Sequence, residues 1–67
     1  MTYTLRQLDS SGTLVDEKRV NAHSYHAALR QLKDAADGAE KIEVYNGENE
    51  KAGEISVEYW ATRLRQR

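Results

Sequence analysis

The chain has 67 residues, 39% of them hydrophobic, with four Tyr, one Trp, no Phe and no Cys, and its formal net charge is −1. That length gives one domain, which buries only about 60% of the surface its unfolded chain exposes, and the lack of cysteine removes disulfides, cysteine-held metals and thiol nucleophiles. No apolar run approaches the ~18 residues of a membrane-spanning helix, and the opening "MTYTLRQLD" lacks the basic-then-apolar order of a secretory signal; no membrane partner and a cytoplasmic location are therefore expected.

The first predicted element is a strand over "TYTLRQL", in which Tyr3 and Leu5 alternate with polar residues. Leu8 breaks that alternation, so the strand either ends there or is re-aimed by a bulge. "SSG" at 10–12 supplies a three-residue hairpin connection, and "TLVDEKRV" follows as the second strand. The clearest helix is "SYHAALRQLKDAADG", 24–38, with Tyr25, Ala28, Leu29, Leu32, Ala35 and Ala36 forming one apolar stripe. Ser24 is placed to cap its start and Gly38 to end it in the left-handed conformation. Asp34 and Asp37 oppose the helix dipole at that end, a cost of a few tenths of a kcal/mol each at exposed sites.

"KIEVY" at 41–45 alternates Ile42 and Val44 with polar residues, and "NG" at 46–47 suits a turn with positive φ. Residues 46–53 read as a polar loop, followed by a fourth strand over "EISVEY" with Ile55, Val57 and Tyr59 on the core face. If that strand continued, its core face would run on through Ala61 to Arg63, Arg65 and Arg67 and become fully charged. The strand must leave the core near Trp60, or bulge. The alternative is a helix from Ser56 with Val57, Trp60, Ala61 and Leu64 as its stripe, giving ββαβα.

The expected fold is α+β: a two-layer ββαββ domain over 1–60, one helix on a four-stranded sheet, with 61–67 as a basic tail. The order of hairpin, helix and hairpin, and the opening "TYTL", resemble the immunoglobulin-binding domains of streptococcal protein G. That resemblance covers residues 2–59 and implies the β-grasp strand order, with the first and fourth strands paired in parallel. The rival arrangement is an antiparallel meander. The resemblance is one of architecture, and no function is transferred by it.

Charge is unevenly spread. Residues 1–33 hold five basic and three acidic side chains, 34–58 hold two basic and eight acidic, and 59–67 hold three arginines and no acid. An acidic middle and a basic end result. His23 and His26, three apart, lack the third histidine or cysteine that a metal site wants. "NGENEKAGE" lacks the ligand order of a calcium loop. No serine sits in a nucleophile elbow, and no glycine-rich phosphate loop is present. The reading is non-enzymatic, with no cofactor and no metal. It is that of a small protein-interaction module meeting a protein partner or a second copy through a sheet edge, the helix face and the aromatics Tyr45 and Trp60. The alternative is weak nucleic-acid binding, with Arg63, Arg65 and Arg67 on phosphates and Tyr59 or Trp60 stacking on bases.

Overall fold

The computed structural model describes residues 1–65. Strands β1 (Thr2–Leu8) and β2 (Leu14–Asn21) are followed by helix α1 (Tyr25–Gln31), strands β3 (Lys41–Tyr45) and β4 (Lys51–Ser56), and helix α2 (Val57–Tyr59), which runs on as one wide π-helical turn, Trp60–Leu64. The sheet order is β2-β1-β3-β4 and every pairing is antiparallel. The α+β class and the hairpin–helix–hairpin succession are as expected. The antiparallel pairing throughout is that of the rival arrangement and replaces the parallel first–fourth pair of the β-grasp order, but the order of strands is that of neither: β1 pairs with β3 (Leu5 opposite Val44), β4 lies at the edge, and β2 and β3 flank β1, so α1 crosses over β1 between them.

The core explains that order. Tyr3 and Leu5 of β1, Ile42 and Val44 of β3, and Ala28, Leu29 and Leu32 from the α1 region pack with Ala22 and Trp60 in one cluster. Leu5, Ile42 and Val44 are fully buried, which only the two central strands achieve. By strand parity the same face of β2 carries Asp16 and Lys18, opposite Gln7 and Leu5. Charges of that kind belong on an edge, where they discourage further pairing. Val15 has no partner between the pairs Gln7–Asp16 and Leu8–Leu14, so the irregularity at Leu8 is a bulge in β2.

Both hairpin loops use one device. Asp9 accepts from the Ser11 and Thr13 backbone N–H groups, and Gly12 takes φ +87. Asn46 likewise accepts from Glu48 and Glu50 N–H, and here the left-handed residue is Asn49, φ 63. Gly47, where the sequence suggested positive φ, does not adopt it. The Asn46 carboxamide captures N–H groups two and four residues on, and the loop becomes a type I turn closed by a left-handed residue. The loop is also shorter than expected, because Lys51, Ala52 and Gly53 belong to β4.

Ser24 caps α1, accepting from Ala27 N–H at 3.1 Å. The helix stops at Gln31, seven residues before Gly38, and Leu32 is already extended, with ψ 119. Leu32 and Ala35 still reach the core, but along a non-helical return segment. The Ala36 N–H is bonded to the side-chain oxygen of Gln7 at 2.7 Å instead of to a helical carbonyl. Asp34 and Asp37 thus lie beyond the helix end, and the expected dipole penalty does not arise. Gly38 is left-handed, φ +84, in a separate turn in which Ala39 N–H bonds Ala36 C=O.

At the C-terminal end the strand and the helix both exist, in succession. β4 ends at Ser56, whose hydroxyl accepts from Tyr59 N–H at 3.0 Å. Trp60 N–H bonds Val57 C=O, and the following turn closes with Arg65 N–H on Trp60 C=O, five residues back, the signature of a π turn. The helix passes through the expected domain boundary at 60/61, and Leu64 packs against the core.

Candidate functional site

The helical end reverses the two aromatic residues. A strand through 59 and 60 would turn Tyr59 inward and Trp60 outward; the helix does the opposite. Trp60 is 1% exposed and its indole Nε1–H donates to Leu29 C=O at 2.8 Å, whereas Tyr59 is 54% exposed. This corrects the expectation that Tyr59 is core and that the Trp60 ring is available at the surface. Arg65 pairs with Asp34 at 2.8 Å and its guanidinium lies 5.8 Å from the Trp60 ring, so it answers the acidic middle of its own chain. Arg63 is exposed on the π turn, and Arg67 lies outside the described residues.

Tyr59 rims an apolar groove of about 460 Å³ lined by Tyr25, His26, Ile55, Ser56, Tyr59 and Leu64. Three elements build it: the first turn of α1, the end of β4, and the C-terminal helix. The hydroxyl end of the Tyr25 ring sits over Gly53, where a β-carbon would lie 3.0 Å from the ring and its oxygen; glycine there lets the ring approach the sheet. The His26 ring sits 5.2 Å from that of Tyr25. Burial, and secondarily the nearby Glu54 charge, push the Tyr25 phenol above its ordinary value of 10.0, so it stays a neutral hydrogen-bond donor. Sequence periodicity grouped Tyr25 with the helix stripe but did not link it to Tyr59. The signal that could have done so is the helical spacing from Ser56.

Tyr45 stands apart, on the opposite, uncovered face of the sheet. The Arg6 guanidinium covers its ring at 4.7 Å, and its hydroxyl donates to Glu43 at 3.0 Å. Tyr45, Trp60 and Arg63 therefore do not converge on one surface. The uncovered face is a charge lattice. Glu43 and Glu54 are directly opposite each other, a like-charge pair that would repel were it not bracketed by lysines. Lys41 lies 3.7 Å from Glu43 and 3.5 Å from Glu54, and Lys51 bonds both carboxylates.

Burial alone would raise the Glu43 carboxyl, but hydrogen bonds from Tyr45 and Lys51 and the charges of Lys51 and Lys41 outweigh it and hold it below the ordinary 4.5. The Lys51 hydrogen bond, then the Lys41 and Lys51 charges, do the same for Glu54. A carboxyl whose folded pKa is depressed stabilises the fold above its unfolded value, and that share is lost as pH falls through the folded value. The urea midpoint should therefore hold level from about pH 7 to about pH 5 and decline below it. The double variant Glu43→Gln with Glu54→Gln should show a shallower decline. Some slope should remain, because the Ser11 hydroxyl and then the Thr13 N–H hold Asp9 below its ordinary 3.8. An equally steep acid limb in the double variant would show that the lattice does not stabilise the fold.

Among the described residues no group of three His, Cys, Asp or Glu side chains stands close enough to hold a metal ion, and no helix is long and apolar enough to cross a membrane. The molecule is a small α+β domain in which helices cover one face of a four-stranded antiparallel sheet. Comparison with protein-family models, with curated proteins and with solved structures finds no match.

Proposed function

We propose that this domain is a non-catalytic protein-interaction module, and that its contact surface is the groove beside Tyr59. The observation that carries the proposal is the juxtaposition of a 54%-exposed tyrosine with an apolar groove. Tyrosine is enriched at protein interfaces because it offers large apolar area and a polar tip for little conformational entropy.

The sheet edges support this choice of surface. β2 presents Asp16, Glu17, Lys18 and Arg19 and is bulged at Val15; β4 is bulged at Ala52, which has no partner between Gly53 and Lys51. Bulges and charged edges are features that block strand addition. The nucleic-acid reading has less support, since the Trp60 ring is buried and Arg65 is paired within the chain.

The test is Tyr59→Ser. Tyr59 is exposed, so the variant should keep its stability within about 0.5 kcal/mol. Sedimentation from about 10 μM to 1 mM spans the affinities expected of a weak module. Self-association through the groove predicts a sedimentation coefficient that rises with concentration in the wild type and stays flat in the variant. A different protein partner predicts a purified partner whose affinity falls at least about tenfold with the variant. A wild-type monomer with no partner sensitive to Tyr59 would sink the proposal, as would salt-sensitive oligonucleotide binding lost on removing Arg63 and Arg65.

A further inference from the structure

The uncovered face of the sheet holds a second depression, of about 350 Å³, lined by Thr2, Thr4, Arg19, Asn46, Gly47 and Asn49. It shares no lining residue with the apolar groove. Its floor is the start of β1 and the end of β2, where Thr4 stands directly opposite both Arg19 and Tyr45. Its wall is the β3–β4 loop, which leans onto β1: a β-carbon on Gly47 would lie 3.6 Å from the Thr2 carbonyl. That wall is held in shape, because Asn46 Oδ1 accepts two backbone N–H groups and Asn49 N–H closes back on Asn46 C=O at 3.0 Å.

The lining has one charge and no acid. Arg19 forms no ion pair among the described residues. Glu17, two residues away on the same face of β2, is bonded to Arg6 at 2.8 Å. The Arg19 guanidinium brings a fork of N–H donors and a fixed positive charge. Thr2 and Thr4 add hydroxyls. Asn46, whose Oδ1 is occupied by the loop, has its Nδ2 hydrogens as donors, and Asn49 brings a second carboxamide.

We propose that this depression binds a small phosphate ester. A donor-rich lining with one unneutralised guanidinium suits an oxyanion, and phosphate offers it more acceptor oxygens and more charge than a carboxylate. The volume falls at the low end of small-molecule sites, about 300–1,000 Å³. It exceeds what a bare phosphate fills, and the remaining lining of hydroxyls and carboxamides matches a polar, hydroxyl-bearing body. The proposal is independent of the groove beside Tyr59.

The experiment is a titration of the ¹⁵N-labelled chain with ribose 5-phosphate, inorganic phosphate and ribose, each to about 20 mM, a range that covers weak millimolar binding. Chloride holds the ionic strength constant, so that screening does not mimic binding. Expected are saturable shifts of the Thr4, Arg19, Gly47 and Asn49 amides with ribose 5-phosphate, at least threefold tighter than with inorganic phosphate. Ribose alone should leave them unmoved. Arg19→Gln, at an exposed edge position, should weaken binding at least tenfold, and Thr4→Val, which keeps strand preference, at least threefold. Both variants should leave amides of the opposite face unshifted. Absence of saturable shifts, equal shifts with ribose, equal affinity for inorganic phosphate, or undiminished binding by Arg19→Gln would each overturn the proposal.

Discussion

Replacing Trp60 by alanine should unfold a large share of the molecules at 25 °C. The indole is 1% exposed and sits between α1 and the C-terminal helix, with its N–H on the Leu29 carbonyl. Truncating a buried Trp costs about 3–5 kcal/mol. A chain of this size has a total stability of roughly 3–10 kcal/mol at ordinary per-residue values, so the loss is comparable to the whole. Trp60→Phe separates the two contributions. It retains most of the packing and removes the indole bond, leaving the Leu29 carbonyl with only the longer bond from Leu32 N–H at 3.3 Å, a loss of about 0.5–1.5 kcal/mol. Urea unfolding followed by far-UV circular dichroism should order the three proteins as wild type, then phenylalanine, then alanine. Fluorescence cannot serve for the variants, because Trp60 is the single tryptophan, but in the wild type it should emit at short wavelength and shift to the red on unfolding. An alanine variant within about 0.5 kcal/mol of wild type, the range of ordinary surface changes, would refute the structural role given to this residue.

That role was half legible in the sequence. The "YWATRL" stretch admits two periods, and the choice between them decides which aromatic is inside. Alternation carried on from Ile55 points to Tyr59; spacing of three and four from Ser56 points to Trp60 and Leu64. The Ser56 hydroxyl decides it, since a serine followed by a free N–H three residues on is a helix start, and the candidate groove appears only once that start is accepted. The first hairpin, the Ser24 cap and β3 were legible because local chemistry dictates them. The strand order is not local. Its signal lay in quality of burial: Ile42 and Val44 demand a central position, whereas the "DEKR" of β2 and Gly53 of β4 are compatible with edges. The charge lattice was illegible for a related reason. The eight acids of 34–58 gave a net charge and no geometry, and it takes the β3–β4 register to place Lys41 and Lys51 on either side of Glu43 and Glu54.

The early end of α1 was hidden by a contact 29 residues long in sequence, and testing that contact gives the second large effect expected. Gln7 is fully buried on the core face of β1, opposite Asp16 and Ile42. Its Oε1 accepts the Ala36 N–H at 2.7 Å, and its Nε2 lies 3.4 Å from Asp16 Oδ2. The amide thereby pins the segment after α1 to the sheet, and Leu32 and Ala35 reach the core without a helix to carry them. Gln7→Ala should leave Ala36 N–H without its acceptor, costing about 1–3 kcal/mol, with a cavity cost in addition. Gln7→Leu fills the space but still strands the N–H, so it should recover only part of the loss. In both variants hydrogen exchange at Ala36 should quicken relative to Leu5, which reports the sheet. Gln7→Glu gives a test of sign. It keeps an acceptor for Ala36 but sets a buried carboxylate beside Asp16, and burial and the like charge both raise its pKa above the unfolded value. A group of that kind is tolerated while protonated and destabilises the fold as pH rises through the unfolded value near ~4.3. The variant should therefore be closest to wild type at about pH 4 and fall behind it towards pH 7; Glu43 and Glu54 are common to both proteins and cancel in the comparison. A constant gap between the two proteins across that range would mean that residue 7 does not face Asp16 in a buried setting, and the account of how α1 is terminated would have to be rebuilt.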